Sequence, residues 1–374
     1  MAGIYLHIPF CYKRCNYCDF FSVAGTARKA ELVDAMEKEI RDRADSLDEP
    51  IETIYFGGGT PSVLKGSEIA RLLEAIYDEY KVAAFPEITF EANPDDITSV
   101  YLSELKQLGI NRLSLGLQSL YDEHLQLMNR RHDSAQSLMA MELALETGFE
   151  NFSVDLIYGF PNLTLKMWEQ ELMDIFLYPV PHISAYHLTI EPKTVFEKWL
   201  EKEKIQMPDE EESFSQFKLL RSMCKDNGLD HYEISNFAKP GFYSQHNMHY
   251  WSDVKYLGIG PSAHSYDLSS REWNISDIAR YITGINKGER VYEKENLDKR
   301  DHFNEYFIRS LRTKWGINLH FIQENFGDEK LGYVKHVAKK YLNNGMLVYD
   351  DNNIRLTEKG LFISDTLLED FLII

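Results

Sequence analysis

The sequence predicts an α/β protein: an incomplete (β/α)6 barrel followed by a smaller, mainly helical C-terminal domain of winged-helix-like order. Three observations predict it. Short β-branched or apolar runs alternate with helical stretches at intervals of roughly 30 residues, the rhythm of βα units. A glycine or polar residue stands at the end of each successive run. Beyond about residue 293 the pattern changes to helix, helix, hairpin, helix.

Taken in order, Ile4 to Ile8, Thr53 to Phe56, Glu87 to Phe90, Arg112 to Leu115, Phe152 to Ile157 and His182 to His187 read as six parallel strands. Between them Leu32, Met36 and Ile40, then Ile69, Leu72, Leu73 and Ile76, then Leu138, Met141 and Leu145 recur at helical spacing and form core-facing stripes. The strand ends carry a cysteine loop, Gly57-Gly-Gly-Thr-Pro61, Glu91, Gln118, Asp155 and His187. In a parallel barrel these ends converge on one mouth, so unrelated polar residues there mark a site. An acidic run from Glu197 to Glu212, interrupted by Pro208, follows as a surface connection, with Asp209 as a helix N-cap. The expected units are 1–200, the barrel; 201–292, an extension of it; and 293–374, where Met346 to Tyr349 and Ile354 to Leu356 flank Asp350-Asp-Asn-Asn353 as a hairpin.

The chain has 374 residues, 44% of them hydrophobic, enough for a sizeable core. Its 40 Lys and Arg against 59 Asp and Glu leave a formal charge of −19, which argues against a nucleic-acid partner. The acidic C-terminal unit argues the same for its winged-helix order. No run approaches the roughly 18 apolar residues that span a bilayer, and Met1-Ala-Gly-Ile-Tyr-Leu-His lacks a basic leader, so a cytoplasmic location is expected. There, clustered thiols are metal ligands more often than disulfides. Cys224, alone, is read as a buried small hydrophobe.

The other three cysteines, Cys11, Cys15 and Cys18, are spaced C-x3-C-x2-C. Three thiolates would leave one iron of a 4Fe-4S cube open to a small ligand. Zinc is the rival and would need a fourth protein ligand, for which His7 is near but sits within a strand. The glycine run Gly57-Gly-Gly-Thr-Pro61 lacks the Gly-Lys-Ser/Thr ending of a P-loop. Its glycines permit close backbone approach to an α-amino or carboxylate group; a tight turn with no ligand is the plainer alternative.

The cysteine spacing, Tyr17 before the third cysteine and the glycine run resemble the radical S-adenosylmethionine (SAM) superfamily. Tyr5-Leu-His-Ile-Pro-Phe-Cys11, Tyr55-Phe-Gly-Gly-Gly-Thr-Pro61, Glu91-Ala-Asn-Pro94, Ser114-Leu-Gly-Leu-Gln118 and Asp155-Leu-Ile-Tyr-Gly-Phe-Pro161 narrow the resemblance to the oxygen-independent coproporphyrinogen III oxidase family, from Ile4 to roughly Tyr266. The resemblance implies a 4Fe-4S cluster on Cys11, Cys15 and Cys18, with SAM on its open iron. It places Gly58, Gly59 and Thr60 at the methionyl end, Tyr5 and Tyr17 beside the cluster, and Arg130 facing a carboxylate. Glu91, Gln118 and Asp155 complete the cofactor pocket, Glu91 and Asp155 as candidates for the ribose hydroxyls.

Members of that family that oxidise porphyrinogen carry a further cysteine two positions after the third, where this chain has Phe20, and a longer N-terminal extension. Both departures match the HemW-like branch, regarded as haem chaperones. In that branch an H-N-x-x-Y-W segment is associated with haem; here it is His246-Asn-Met-His-Tyr-Trp251, which makes His246 the favoured axial ligand, His249 the second, and Tyr250 and Trp251 stacking partners. This reading implies an acceptor protein for the haem, in solution or at a membrane, and an electron donor; neither it nor the oligomeric state is named by the sequence. The alternatives are a coproporphyrinogen III oxidase and a radical enzyme on another substrate, with the histidine segment merely structural.

Overall fold

The computed structural model describes residues 1–373. Six parallel strands form where the sequence predicts them: β1 (Ala2–Ile8), β2 (Ile51–Gly58), β3 (Val82–Ala92), β4 (Arg112–Gln118), β5 (Phe152–Tyr158) and β6 (His182–His187), each paired to the next. Helices α1 (Lys29–Asp42), α2 (Gly66–Glu79), α3 (Ser99–Gln107), α4 (Asp122–Leu127), α5 (Ser134–Glu146) and α6 (Leu165–Phe176) lie in the connections, as parallel pairing requires. The stripes on α1 and α2 are buried as expected. On α5 the buried face is instead Ser137, Ala140, Met141 and Ala144, while Leu138 and Leu145 are only half-buried. Small residues turned inward let that helix approach its neighbours closely, which outweighs the larger apolar area of the leucines.

The chain then passes through α7 (Val195–Glu201) and α8 (Glu210–Asp226), where the Asp209 side chain accepts from the Glu212 N–H as the N-cap. Cys224 on α8 is fully buried, and burial pushes its thiol up. Strands β7 (Asp230–Glu233) and β8 (Asn236–Ala238) add antiparallel to the β6 edge. After α9 (Gln245–Tyr250), β9 (Lys255–Ile259) returns to the opposite edge and pairs parallel with β1, Ala2 opposite Lys255 and Leu6 opposite Ile259. This seventh parallel strand was not predicted. Its five residues carry no helix-strand rhythm with their neighbours, and its place depends on pairing across 250 residues of chain. Strands β10 (His264–Tyr266), β11 (Ser270–Asn274) and β12 (Tyr292–Asn296) extend that edge antiparallel, with α10 (Ile278–Lys287) between the last two. The sheet has twelve strands among the described residues and stays open, ending at β12 and β7.

A second apolar core holds Phe303, Phe307, Leu311, Ile322, Val334, Ile354 and Phe371. It gathers α11 (Lys299–Leu311), α12 (Leu319–Asn343, broken at Gly327 with φ +86°), the hairpin β13 (Leu347–Asp350) and β14 (Asn353–Leu356), and the short α13 (Glu358–Phe362) and α14 (Ser364–Glu369).

One buried carboxylate fastens the added edge to the barrel. Glu39 on α1, with no exposed surface, accepts from Arg43, the Asn274 amide, the Gly260 N–H and the Tyr281 hydroxyl, while Arg43 also donates to the Gly258 carbonyl and to Glu272. Glu39→Ala takes the acceptor from the buried Gly260 N–H and Tyr281 hydroxyl and breaks the buried pair with Arg43, which keeps the Gly258 carbonyl and Glu272, so it should lower unfolding free energy by about 3–5 kcal/mol. Urea denaturation checks this; an unchanged midpoint would contradict the role of Glu39.

Candidate metal centre and ligand cavity

The C-terminal strand ends surround a cavity of about 450 Å³. It is lined by Tyr5, Cys11, Cys15, Tyr17, Cys18, Gly58, Gly59, Thr60, Glu91, Gln118, Arg130 and Asp155, together with Phe20, Asn93, Ser114, Tyr186 and His187. Every residue expected at the cluster and SAM is therefore at this cavity, whereas His246, His249, Tyr250 and Trp251 are not among its lining. A shallower groove at Tyr12, Lys65 and Glu104 lies open to solvent and gathers no thiol or histidine.

The glycine run controls the cavity floor. Parallel pairing sets His7 against Gly57 and Ile8 against Gly58, and the Gly59 N–H donates to the Ile8 carbonyl at 2.8 Å. Gly58 has φ +111°, and a Cβ there would lie 2.8 Å from the His7 ring; a Cβ on Gly59 would lie 2.9 Å from the Phe10 carbonyl oxygen. The glycines are thus required by the chain crossing above them. The Gly58 amide donates to Glu91 at 3.2 Å, so the amides at 58 and 59 are already engaged.

The cysteine loop starts directly on this floor. Its ends are pinned by a two-residue parallel pairing of Phe10–Cys11 with Val23–Ala24. Its middle hangs from Asn16, whose N–H donates to the Met128 carbonyl at 3.0 Å and whose amide donates to the Leu127 carbonyl at 2.8 Å, while its carbonyl accepts from the Val195 and Phe196 N–H groups. The Thr60 hydroxyl donates to the Cys11 sulfur at 3.3 Å and Arg130 Nη1 to the Cys15 sulfur at 3.4 Å. All three thiols are free and half-buried. Burial, then the neighbouring Cys15 and Cys11, push the Cys18 thiol up to about 11. Three thiolates this close are unfavourable without a cation, and donors aimed at their sulfurs suit a metal–sulfur group.

His7 does not serve as a fourth ligand. Its Nδ1 faces the Tyr5 hydroxyl at 3.1 Å and its Nε2 the Phe21 carbonyl at 2.9 Å, so both nitrogens are occupied. Among the described residues no three His, Cys, Asp or Glu side chains are gathered on a single ion.

Glu91 lies next to last in β3, but Asp155 is in the middle of β5 rather than at its end as expected; both reach the cavity because they occupy inward-facing positions. Glu91 accepts from the Tyr55 hydroxyl at 2.8 Å, and burial pushes it up to about 7. Asp155 accepts from the Ser114 hydroxyl at 3.0 Å, and burial pushes it up to about 6. Gln118 adopts φ +68°, uncommon for a side-chain-bearing residue, at the register shift between β4 and β5. Arg130 Nη2 donates to Asn93 Oδ1 and to the Gly116 carbonyl, at 2.8 and 2.6 Å, while its Nε is buried without a partner. Tyr17 packs on Phe196, and Tyr5 on Tyr55. Asn93 and Ser114 went unassigned by sequence reasoning, although both stand in motifs it quotes; their roles lie in contacts with Arg130 and Asp155.

His246 is placed apart from the cavity. Its side chain is 1% exposed and lies outside the cavity on α9, Nδ1 facing the Thr53 hydroxyl at 2.7 Å and Nε2 the Tyr250 hydroxyl at 3.1 Å. Its ring stacks on Tyr55 and Tyr5. Both ring nitrogens are hydrogen-bonded to hydroxyls in this conformation. His249 faces the same Thr53 hydroxyl at 3.3 Å.

Residues 5–175 match the Radical SAM superfamily and residues 297–363 the HemN C-terminal domain. The chain is 33% identical over 376 residues to Heme chaperone HemW of Bacillus subtilis (strain 168), across 100% of this chain and 99% of that protein. It is 33% identical over 372 residues to Heme chaperone HemW of Lactococcus lactis subsp. lactis (strain IL1403), across 99% and 97%. Among solved structures, coproporphyrinogen III oxidase (HemN) from Escherichia coli superposes with a TM-score of 0.86 at 23% identity, over 99% of this chain and 89% of that one, a likeness of fold.

The raised Glu91 and Asp155 carboxyls give the cluster-free protein a distinct pH dependence. A carboxyl held above its ordinary value of 4.5 or 3.8 stabilises the fold at low pH and loses that contribution as pH rises through about 7 or about 6. Glu91→Gln should therefore flatten the decline in stability between pH 5 and pH 8, measured by urea midpoints. An identical decline in both proteins would contradict the burial of Glu91.

Proposed function

Since the chain belongs to the heme chaperone HemW family of the radical SAM superfamily, we propose that it is a haem chaperone: it binds haem, passes it to an acceptor protein, and keeps a SAM-ligated 4Fe-4S cluster. The observation that carries this reading is kinship over the full length of both chains with relatives of that name. Phe20, in place of a further thiol beside the cysteine loop, supports it over porphyrinogen oxidation.

Cys11, Cys15 and Cys18 would hold the cluster, a group that when bound supplies an electron and one open iron. Gly58, Gly59 and Thr60 would receive the methionyl end of SAM. The unpartnered Arg130 Nε supports a role in holding its carboxylate, because a buried donor without an acceptor costs about 1–3 kcal/mol. Glu91 and Asp155 would meet the ribose hydroxyls. Carboxyls poised at about 7 and about 6 can donate as well as accept near neutral pH. Gln118, Tyr5 and Tyr17 would complete the walls. No helix among the described residues is long and apolar enough to cross a membrane. We place the protein in the cytoplasm, meeting its acceptor and electron donor from the aqueous side.

Anaerobically reconstituted protein should show the broad visible absorption of a 4Fe-4S cluster, and Cys15→Ala should remove it together with the bound iron. Stoichiometric zinc without iron would sink the cluster assignment. Incubated with coproporphyrinogen III, SAM and a reductant, the protein should yield no protoporphyrinogen, while haem should move from it to an acceptor in a parallel transfer assay. Decarboxylated product would instead establish the oxidase.

A further inference from the structure

The run Arg312-Thr313-Lys314-Trp315 follows α11 and is tied to the edge of the barrel sheet. Thr313 bridges antiparallel to Glu233 of β7, and the Lys314 N–H donates to the Tyr232 carbonyl at 3.0 Å. Beside this run is a cavity of about 190 Å³, separate from the one at the cysteine loop and lined by Arg221, His231, Glu233, Arg312, Lys314 and Arg355. Four cations thus share one small recess in a chain of formal charge −19. Their carboxylate partners, Glu358, Asp365, Asp230 and Asp350, are all exposed, and such pairs hold together weakly against water. The Nε atoms of Arg312 and Arg355 are buried without a partner. The carboxyl in the lining, Glu233, is engaged by the Ser235 N–H and the Asn236 amide. The recess therefore has cationic donors to spare, which suits an anion.

Aromatic surface borders the same cations. The Arg312 guanidinium lies over the Trp251 ring, 6.0 Å from its centroid, and Lys314 Nζ over Tyr243 and Trp315, at 4.9 and 5.5 Å. Trp315 is 44% exposed. Trp251 ends the segment His246–Trp251, which the family resemblance associates with haem. Aromatic rings beside a cationic recess match a flat apolar ligand with carboxylate arms. At about 190 Å³ the recess is smaller than the roughly 300–1,000 Å³ of sites that enclose a drug-sized ligand, so it takes an arm and leaves the macrocycle outside.

We propose that Arg312 and Lys314 receive a propionate of haem in this recess, with Trp251 and Trp315 against the macrocycle. This rests on the haem-chaperone reading and assigns the anchor of the propionate; it holds whichever nitrogen meets the iron. A guanidinium can grip a carboxylate through two parallel N–H donors, and the Lys314 ammonium adds a point charge beside it. The incoming propionate takes the place of Asp365 and Asp230, exposed carboxylates that water can satisfy once they are released. The C-terminal unit supplies no residue to the cavity at the cysteine loop. Its contribution is instead to close the anionic end of the haem site against the β7 edge.

The test titrates haem and haem dimethyl ester, whose propionates are blocked, into the full-length protein and follows the Soret band. Wild type should bind haem at least tenfold more tightly than the ester. The double variant Arg312→Gln, Lys314→Gln should bring that ratio below threefold by losing affinity for haem while keeping its affinity for the ester. Lys314→Gln alone should lower the ratio part of the way, and it decides the matter if the double variant does not fold by circular dichroism. Failure of wild type to bind either compound would overturn the chaperone reading itself. Equal binding of the two by wild type, an unchanged ratio in the variants, or an equal loss for both compounds would overturn the propionate assignment alone.

Discussion

The approach of two backbones at Gly57–Gly59 is the constraint on which the site depends. The end of β2 and the chain leaving β1 come so close that side chains at 58 or 59 would strike the His7 ring or the Phe10 carbonyl. This contact sets where the chain lifts off the sheet, and so where Cys11 begins. Asn16 then suspends the rest of the loop between α4 and α7, so that the Cys15 sulfur meets Arg130. The spacing of the cysteines decides which group they can hold; the glycine contact decides where they hold it.

A second feature follows from burying polar groups at the mouth of the barrel. Glu91 and Asp155 are taken out of water and compensated by hydroxyls rather than by cations, Tyr55 for one and Ser114 for the other. Hydroxyl donors satisfy lone pairs without neutralising charge, so desolvation dominates and both carboxyls rise. At the other side Arg130 spends most of its donors on Asn93, Gly116 and Cys15, which fixes the guanidinium and leaves Nε over.

The segment His246–Trp251 has a structural task in this conformation. His246 bridges Thr53 and Tyr250 beneath the Tyr5–Tyr55 pair, and the His246 N–H donates to the buried Glu87. It supports the two tyrosines that border Glu91, and so acts on the cavity from behind. A ring with both nitrogens engaged lends rigidity.

Much of the protein was legible in the linear order of residues. The six parallel strands, the helical stripes of α1 and α2, the Asp209 cap, the hairpin around Asp351 and the convergence of all three thiols with Glu91 and Gln118 follow from local periodicity and from the rule that parallel strand ends meet, whereas Arg130 was expected there from the family resemblance alone and Asp155 reaches the cavity from mid-strand. These depend on interactions a few residues long, or on a topology the alternation of strand and helix already implies. What only the tertiary structure decided depends on groups far apart in the chain: the return of β9 to β1, the inward turn of the small residues on α5, and the occupation of His246 by Thr53, 193 positions away. Which groups meet a histidine's ring nitrogens depends on how distant segments pack, and sequence proximity does not reveal it.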